Sequence, residues 1–151
     1  MMRIFTIGYE GATQAEVVAV LKAAGVRQVI DVRAVPLSRK PGFSKNVLRV
    51  GLAEAGLDYL NLKGLGTPPA GREAAREGRH ADLARIYAQQ LNTPEAIAES
   101  AIMLDLAETT PSALLCFERD PAACHRSLLL AAVAPEAEVV DLFVSPAGQS
   151  S

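Results

Sequence analysis

The strongest constraint on the fold is the alternation of short apolar runs with helical patterns. Five runs rich in branched residues are bounded by Gly, Pro or charged residues, at positions 3–7, 28–32, 57–62, 113–117 and 139–144. Continuous apolar runs of this length are typical of strands that are buried on both faces. Because helical patterns separate them, the order predicts parallel pairing through right-handed crossovers.

We therefore expect an α/β fold with three layers: a Rossmann-like, mainly parallel five-stranded sheet with helices on both faces. The first crossover carries clear helix signals, since Thr13 and Glu16 match a capping box and Gly25 can end the helix in a left-handed conformation. Further helices are expected between residues 44 and 56, around residues 83–91 and from Thr93 onward.

Length and charge limit the class of protein. A chain of 151 residues with 50% hydrophobic content predicts one domain, expected over residues 1–144 with a disordered tail at 145–151. A formal net charge of -2 argues against indiscriminate coating of nucleic acid or anionic membrane. No run approaches the ~20 apolar residues that span a bilayer, and no signal segment opens the chain, which predicts a cytoplasmic protein without a membrane partner.

Ligands of open parallel sheets bind outside the carboxyl ends of the strands. Loops 8–11, 31–45 and 118–126 follow three of the predicted strands and are the expected site. In the first loop, Gly8 allows close backbone approach and Tyr9 can donate a hydrogen bond to a ligand or cover the sheet edge.

Loop 118–126 has the pattern of an anion site. Asp120 and Pro121 suit the N-cap and first residue of a helix, whose free N–H groups, together with Arg126, could hold a phosphate or carboxylate. Cys124 beside His125 could be a thiol of lowered pKa. The alternative is that Cys124 packs as a small apolar group while His125 makes a local hydrogen bond.

Loop 31–45 and the residues after it are basic in a chain that is acidic overall, and residues 32–53 contain no acidic residue. The cations are Arg33, Arg39, Lys40, Lys45 and Arg49. This asymmetry suggests a phosphate-bearing partner, with Phe43 available to stack on a base. The alternative is a solvated basic face with Phe43 in the core.

Two carboxylates could flank the pocket, because Asp31 ends the second strand and Glu118 follows the fourth. They are the acid and base candidates, although Asp31 could equally be the structural partner of an arginine. A metal site is disfavoured, since seven residues separate Cys116 from Cys124, and both are expected to be reduced thiols. We expect no cofactor.

Several short motifs occur in a fixed order: TIGYEG at 6–11, VIDVR at 29–33, PLSR at 36–39, FS at 43–44, LGTP at 65–68, and CFE and CHR at 116–118 and 124–126. In these the chain resembles the bacterial and archaeal family of domain of unknown function 488. The resemblance implies a compact α/β domain and supports treating the motif residues as one site, which adds Ser38 and Ser44 to the ligand-binding set. It implies no activity.

The leading hypothesis is a hydrolase or transferase acting on a phosphate-bearing substrate, an anionic small molecule such as a nucleotide or a nucleic-acid end. Charge would be bound by Arg33, Arg39, Lys45 and Arg126. Glu118 and Asp31 would supply acid–base catalysis, with Cys124 or His125 as the alternative reactive group. The competing hypotheses are a non-catalytic nucleotide or nucleic-acid binding module and a redox-responsive thiol protein.

Overall fold

A computed structural model describes residues 2–144 and contains one five-stranded sheet. The strands are β1 (Arg3–Gly8), β2 (Gln28–Asp31), β3 (Asp58–Asn61), β4 (Ser112–Cys116) and β5 (Glu138–Leu142). All neighbouring strands pair in parallel, in the order β3-β2-β4-β1-β5. The predicted α/β class and parallel sheet are confirmed.

Helices connect the strands. They are α1 (Gln14–Ala23), α2 (Lys45–Glu54), α3 (Pro69–Arg76), α4 (His80–Leu91), α5 (Pro94–Thr109) and α6 (His125–Val133), with 3-10 turns at Lys63–Leu65 and Pro121–Ala123. The capping box of α1 is present, since the Thr13 side chain accepts from the Glu16 backbone N–H and the Glu16 side chain accepts from the Thr13 N–H. Such a cap stabilises a helix by about 1 kcal/mol.

Two apolar clusters place helices on both faces of the sheet. One face packs α1 and α2 against Ile7 and Val29. The other packs α4, α5 and α6 against Ile4, Ile30 and Leu114. Alternate residues of one strand therefore pack into the cores on opposite faces of the sheet. This explains why the strand sequences are continuous apolar runs.

Two helices differ from the expectation. Helix α3 was not expected, because its eight residues are mostly polar and bury only Gly71 and Ala74. Helix α6 begins at His125, later than expected from Pro121. The Asp120 carboxylate accepts from the Ala122 N–H and closes a single 3-10 turn, after which Cys124 is extended (φ -124°, ψ 154°) and interrupts the helix.

No helix within residues 2–144 is long and apolar enough to span a bilayer. The predicted disordered tail at 145–151 lies outside the described residues.

The connections leaving β1 and β4 position the site. These strands are neighbours, but the chain leaves β1 towards β2 and leaves β4 towards β5, on the opposite side. Such a reversal opens a crevice at the carboxyl ends of the two strands.

Candidate functional site

A cavity of about 420 Å³ opens at the carboxyl ends of β1, β2 and β4. Its wall includes residues from all three predicted loops and from helices α3 and α4. Two larger cavities, of about 610 and 670 Å³, open near the amino ends of the strands. The described residues that line those two include no cysteine or histidine. We therefore take the cavity at the carboxyl ends as the candidate site.

Asp31 and Arg33 form a buried ion pair at the end of β2. The Arg33 Nε and Nη2 donate to the two Asp31 carboxylate oxygens, at 2.9 and 2.7 Å, and Tyr59 donates its hydroxyl hydrogen to the same carboxylate. Burial alone would lower the pKa of Arg33, but the hydrogen bonds and charge of Asp31 raise it above its ordinary value. Burial, with the Asp31 charge, raises the pKa of Tyr59.

Asp31 is therefore placed as the buried partner of an arginine, which was the alternative to acid–base catalysis. It is fully buried and does not line the cavity, whereas Arg33 does. Arg33 also donates from Nη1 to the Tyr9 hydroxyl, which fixes Tyr9 in the wall.

Phe43 belongs to the core. It is fully buried, and its ring stacks on Tyr9 with centroids 4.3 Å apart and planes 9° from parallel. Phe43 thus lies in the core, as the alternative hypothesis expected, and neither face of its ring is exposed to a base. Phe117 packs edge-on against Tyr9 and is 46% exposed at the cavity wall.

The basic loop after β2 lies outside the cavity beyond Leu37. Ser44 accepts from the Ser38 N–H and donates to the Ser38 carbonyl, so these two serines close the loop on itself. Arg39 and Lys45 are exposed and do not line the cavity. The structure does not bring these four predicted ligand-binding residues to the wall.

Arg126 is fully buried and anchors the loop after β4. Its Nη2 donates to the Glu118 carbonyl at 2.6 Å, and burial lowers its pKa. The expected anion cradle around it does not form, because the Ala122 N–H already bonds to Asp120 and α6 starts at His125. Arg126 thus contacts this loop but does not line the cavity.

Gly8 allows the loop after β4 to pack closely against the end of β1. A Cβ at Gly8 would overlap the Glu118 carbonyl group and lie 2.9 Å from the Arg119 nitrogen. Only a residue without a side chain fits there, so Gly8 has a spacing role. Glu118 then lines the cavity, and burial raises the pKa of its carboxyl group.

Cys116, Cys124 and His125 meet in one wall of the cavity. Their ligating atoms all lie within 4.8 Å of one another, and each residue is buried. Cys116 and Cys124 are bonded to each other through their sulfur atoms, so the expectation that both are reduced thiols is wrong for this structure. Cys124 is the N-cap of α6, and its sulfur accepts from the Arg126 backbone N–H at 3.5 Å.

The hydrogen bond of His125 defines its tautomer. Nε2 lies 2.8 Å from the Val32 carbonyl oxygen, which can only accept, so Nε2 carries the hydrogen. Burial lowers the pKa of His125 to about 4, which keeps the ring neutral at pH 7. The lone pair of Nδ1, 3.5 Å from the Cys124 sulfur, is therefore free to accept or to ligate.

Arg72 and Arg76 are site residues that the sequence analysis missed. Both line the cavity from α3, the helix that was not expected. Among the described residues neither forms an ion pair, and Arg72 donates to the Thr67 carbonyl at 2.9 Å. The signal available in the sequence was their spacing of four residues, which places both side chains on one helix face.

Exposed apolar side chains form another part of the wall. Val35 and Leu37 are 48% and 71% exposed, and both line the cavity together with Phe117. The cavity therefore combines cationic, apolar and thiol–imidazole surfaces.

Comparison with known proteins gives one match. The family model described as "Domain of unknown function DUF488" matches residues 13–133. No curated protein and no solved structure matches the chain.

Proposed function

This chain belongs to the DUF488 family, and we propose that its cavity is the active site of a hydrolase or transferase acting on a phosphate-bearing substrate, such as a nucleotide or a nucleic-acid end. The observation that carries the proposal is the convergence of three arginines and one glutamate on a cavity at the carboxyl ends of parallel strands.

Arg72 and Arg76 supply the anion-binding charge. Arg33 is neutralised by Asp31, whereas these two have no acidic partner among the described residues. Two guanidinium groups on one helix face can bind several oxygens of one phosphate through paired, charge-assisted hydrogen bonds. Unpaired cations at the wall of a concave, partly apolar site attract an anion more strongly than the same cations on a flat surface.

The apolar wall supports a substrate that has more than a phosphate. Val35, Leu37 and Phe117 expose apolar surface beside the arginines. A nucleotide matches this division, because its base stacks on an aromatic ring while its phosphate binds the cations. Phe117 takes the stacking role that the sequence suggested for Phe43.

Glu118 is the acid–base candidate, since it is the carboxyl group in the wall of the cavity. A group that transfers a proton acts chiefly in the transition state, so its removal lowers turnover more than affinity. Asp31 is not part of this proposal, because its carboxylate is occupied by Arg33 and Tyr59.

A thermal-shift and turnover screen tests the proposal. The ligands are inorganic phosphate, nucleoside monophosphates, sugar phosphates and short single-stranded oligonucleotides with a terminal phosphate. A ligand that binds only the native state raises the melting temperature. We expect the shift to occur in wild type, to disappear in Arg76→Ala and to persist in Arg85→Ala, an exposed arginine on α4 that contacts Asp82 outside the cavity.

Glu118→Gln then separates catalysis from binding. The enzyme proposal predicts that the variant keeps the ligand-induced shift and loses turnover of that ligand. Binding by wild type without turnover would instead favour the non-catalytic module, and equal shifts in Arg76→Ala and Arg85→Ala would refute the assignment of the cavity.

A further inference from the structure

We propose that, once the Cys116–Cys124 pair is reduced, Cys116, Cys124 and His125 form a binding site for a thiolate-preferring divalent metal ion of the Zn²⁺ type, with its fourth coordination position open to the cavity. The inference goes beyond the proposed function, because metal binding can be measured without any substrate.

The three ligating atoms lie close enough together for one such ion to bind all of them after the cysteines are reduced. Zinc bonds sulfur at about 2.3 Å and nitrogen at about 2.0 Å in tetrahedral sites, which separates the ligand atoms by roughly 3.5–4 Å. In this structure the two sulfurs and the imidazole nitrogen lie within 4.8 Å of one another, so small side-chain rotations suffice. Three protein ligands with one open position is the usual arrangement of catalytic zinc.

His125 is oriented as a metal ligand would be. Its Nε2 hydrogen is donated to the Val32 carbonyl, and Nδ1 is left beside the Cys124 sulfur. Metal-bound histidines almost always donate their second ring N–H to a carbonyl or carboxylate, which fixes the tautomer and the ring plane. Tyr87 adds a second constraint, packing edge-on against the imidazole with centroids 5.3 Å apart.

The backbone spacing suits an ion between the two reduced sulfurs better than it suits the direct bond between them. The Cα atoms of Cys116 and Cys124 are 7.6 Å apart. Disulfides usually hold their Cα atoms about 4.4–6.8 Å apart, and pairs beyond ~7 Å cannot be bridged without backbone movement. Because Cys116 ends β4 and Cys124 caps α6, two regular elements set this distance.

Charge gives a further reason. Both cysteines are buried, at 1% and 3% exposure, and an ionised buried thiol needs a counter-charge. Two thiolates and one divalent cation form a neutral group, which removes most of the cost of burial. The open position faces a cavity that also carries Glu118 and Arg72, so the ion would lie beside the proposed substrate site.

The test uses the full chain, reduced and freed of metal by chelation, then dialysed against Zn²⁺ with metal content measured by mass spectrometry. We expect one ion per chain. Cys116→Ser, Cys124→Ser and His125→Gln should each weaken the affinity by roughly 100-fold or more, since each removes a direct ligand. His80→Gln is the matched control, because His80 is the other histidine of the chain and lies outside the cluster.

A second measurement does not depend on the folding of the variants. Co²⁺ added to the reduced wild-type chain should give a thiolate-to-cobalt charge-transfer band and the intense visible bands of tetrahedral cobalt, and Zn²⁺ should remove both. The inference is overturned if reduced wild type binds no stoichiometric metal, or if His80→Gln weakens binding as much as His125→Gln. It is also overturned if the cysteines form a disulfide equally fast with and without Zn²⁺, which would favour a redox-responsive pair.

Discussion

Substitution of Gly8 tests how the loop after β4 is held over the sheet. In Gly8→Ala the added Cβ overlaps the Glu118 carbonyl, whose position is fixed from the other side by the Arg126 guanidinium. The added Cβ would lie 1.7 Å from the Glu118 oxygen, and non-bonded heavy atoms settle at ~3.5 Å, so the Glu118 peptide must retreat by roughly 1.8 Å. A shift of that size breaks the 2.6 Å hydrogen bond from Arg126.

Two costs add. Overpacking a well-packed site costs about 1–3 kcal/mol, and loss of a buried hydrogen bond to a charged group costs about 1.5–3 kcal/mol. We expect Gly8→Ala to lower the free energy of unfolding by about 4 kcal/mol. At this chain length that corresponds to a melting temperature lower by roughly 10 °C.

Gly11→Ala is the matched control, because Gly11 lies with Gly8 in loop 8–11. Gly11 has a φ of +75° and no atom within 4 Å of a built Cβ, so the variant suffers only the backbone cost of about 1–2 kcal/mol. Urea unfolding followed by circular dichroism measures both. If Gly8→Ala loses no more free energy of unfolding than Gly11→Ala, the close contact between Gly8 and the Glu118 carbonyl does not hold the loop after β4.

Two further predictions concern stability. Asp31→Asn should lower the free energy of unfolding by about 3–5 kcal/mol in urea titrations, since Arg33 would remain buried without its counter-charge, and a loss below about 1 kcal/mol would contradict the structural role of the pair. Glu99 lies on α5, and burial raises the pKa of its carboxyl group. The contribution of this group to the free energy of unfolding is therefore present below its unfolded pKa of about 4.3 and is lost as the pH rises through the folded pKa. Glu99→Gln should therefore stabilise the protein at pH 7 and have no effect near pH ~3, and equal effects at both would exclude the titration.

The sheet was predictable because its signals are local. Both ends of each strand lie within two residues of the ends of a predicted apolar run. The cap residues Thr13 and Thr93 mark the starts of α1 and α5. Helix α3 was not predictable, because it buries only Gly71 and Ala74, two small residues that give a weak apolar signal in the sequence. The start of α6 was misplaced because Asp120 caps a 3-10 turn with the same sequence signature as an α-helix.

The loops that line the cavity could be predicted from the sequence, but the contacts that their residues make could not. The strand ends indicated where the loops converge. The sequence could not show that the Asp31 carboxylate accepts from Arg33 and Tyr59, or that Arg126 donates to the Glu118 carbonyl. Those outcomes depend on tertiary packing. The seven residues between Cys116 and Cys124 disfavoured a common metal ion in the sequence. In the structure the two cysteines meet, because one ends a strand and the other begins a helix.

We propose that Arg72 and Arg76 hold the phosphate of a substrate in the cavity at the carboxyl ends of the strands. The decisive experiment is a crystal structure of the chain after soaking with a nucleoside monophosphate. We predict phosphate oxygens within hydrogen-bond distance of both guanidinium groups and the base against Phe117. A phosphate bound at the 3-10 turn Pro121–Ala123, or on the exposed Arg39 and Lys45, with the cavity left empty, would contradict the account.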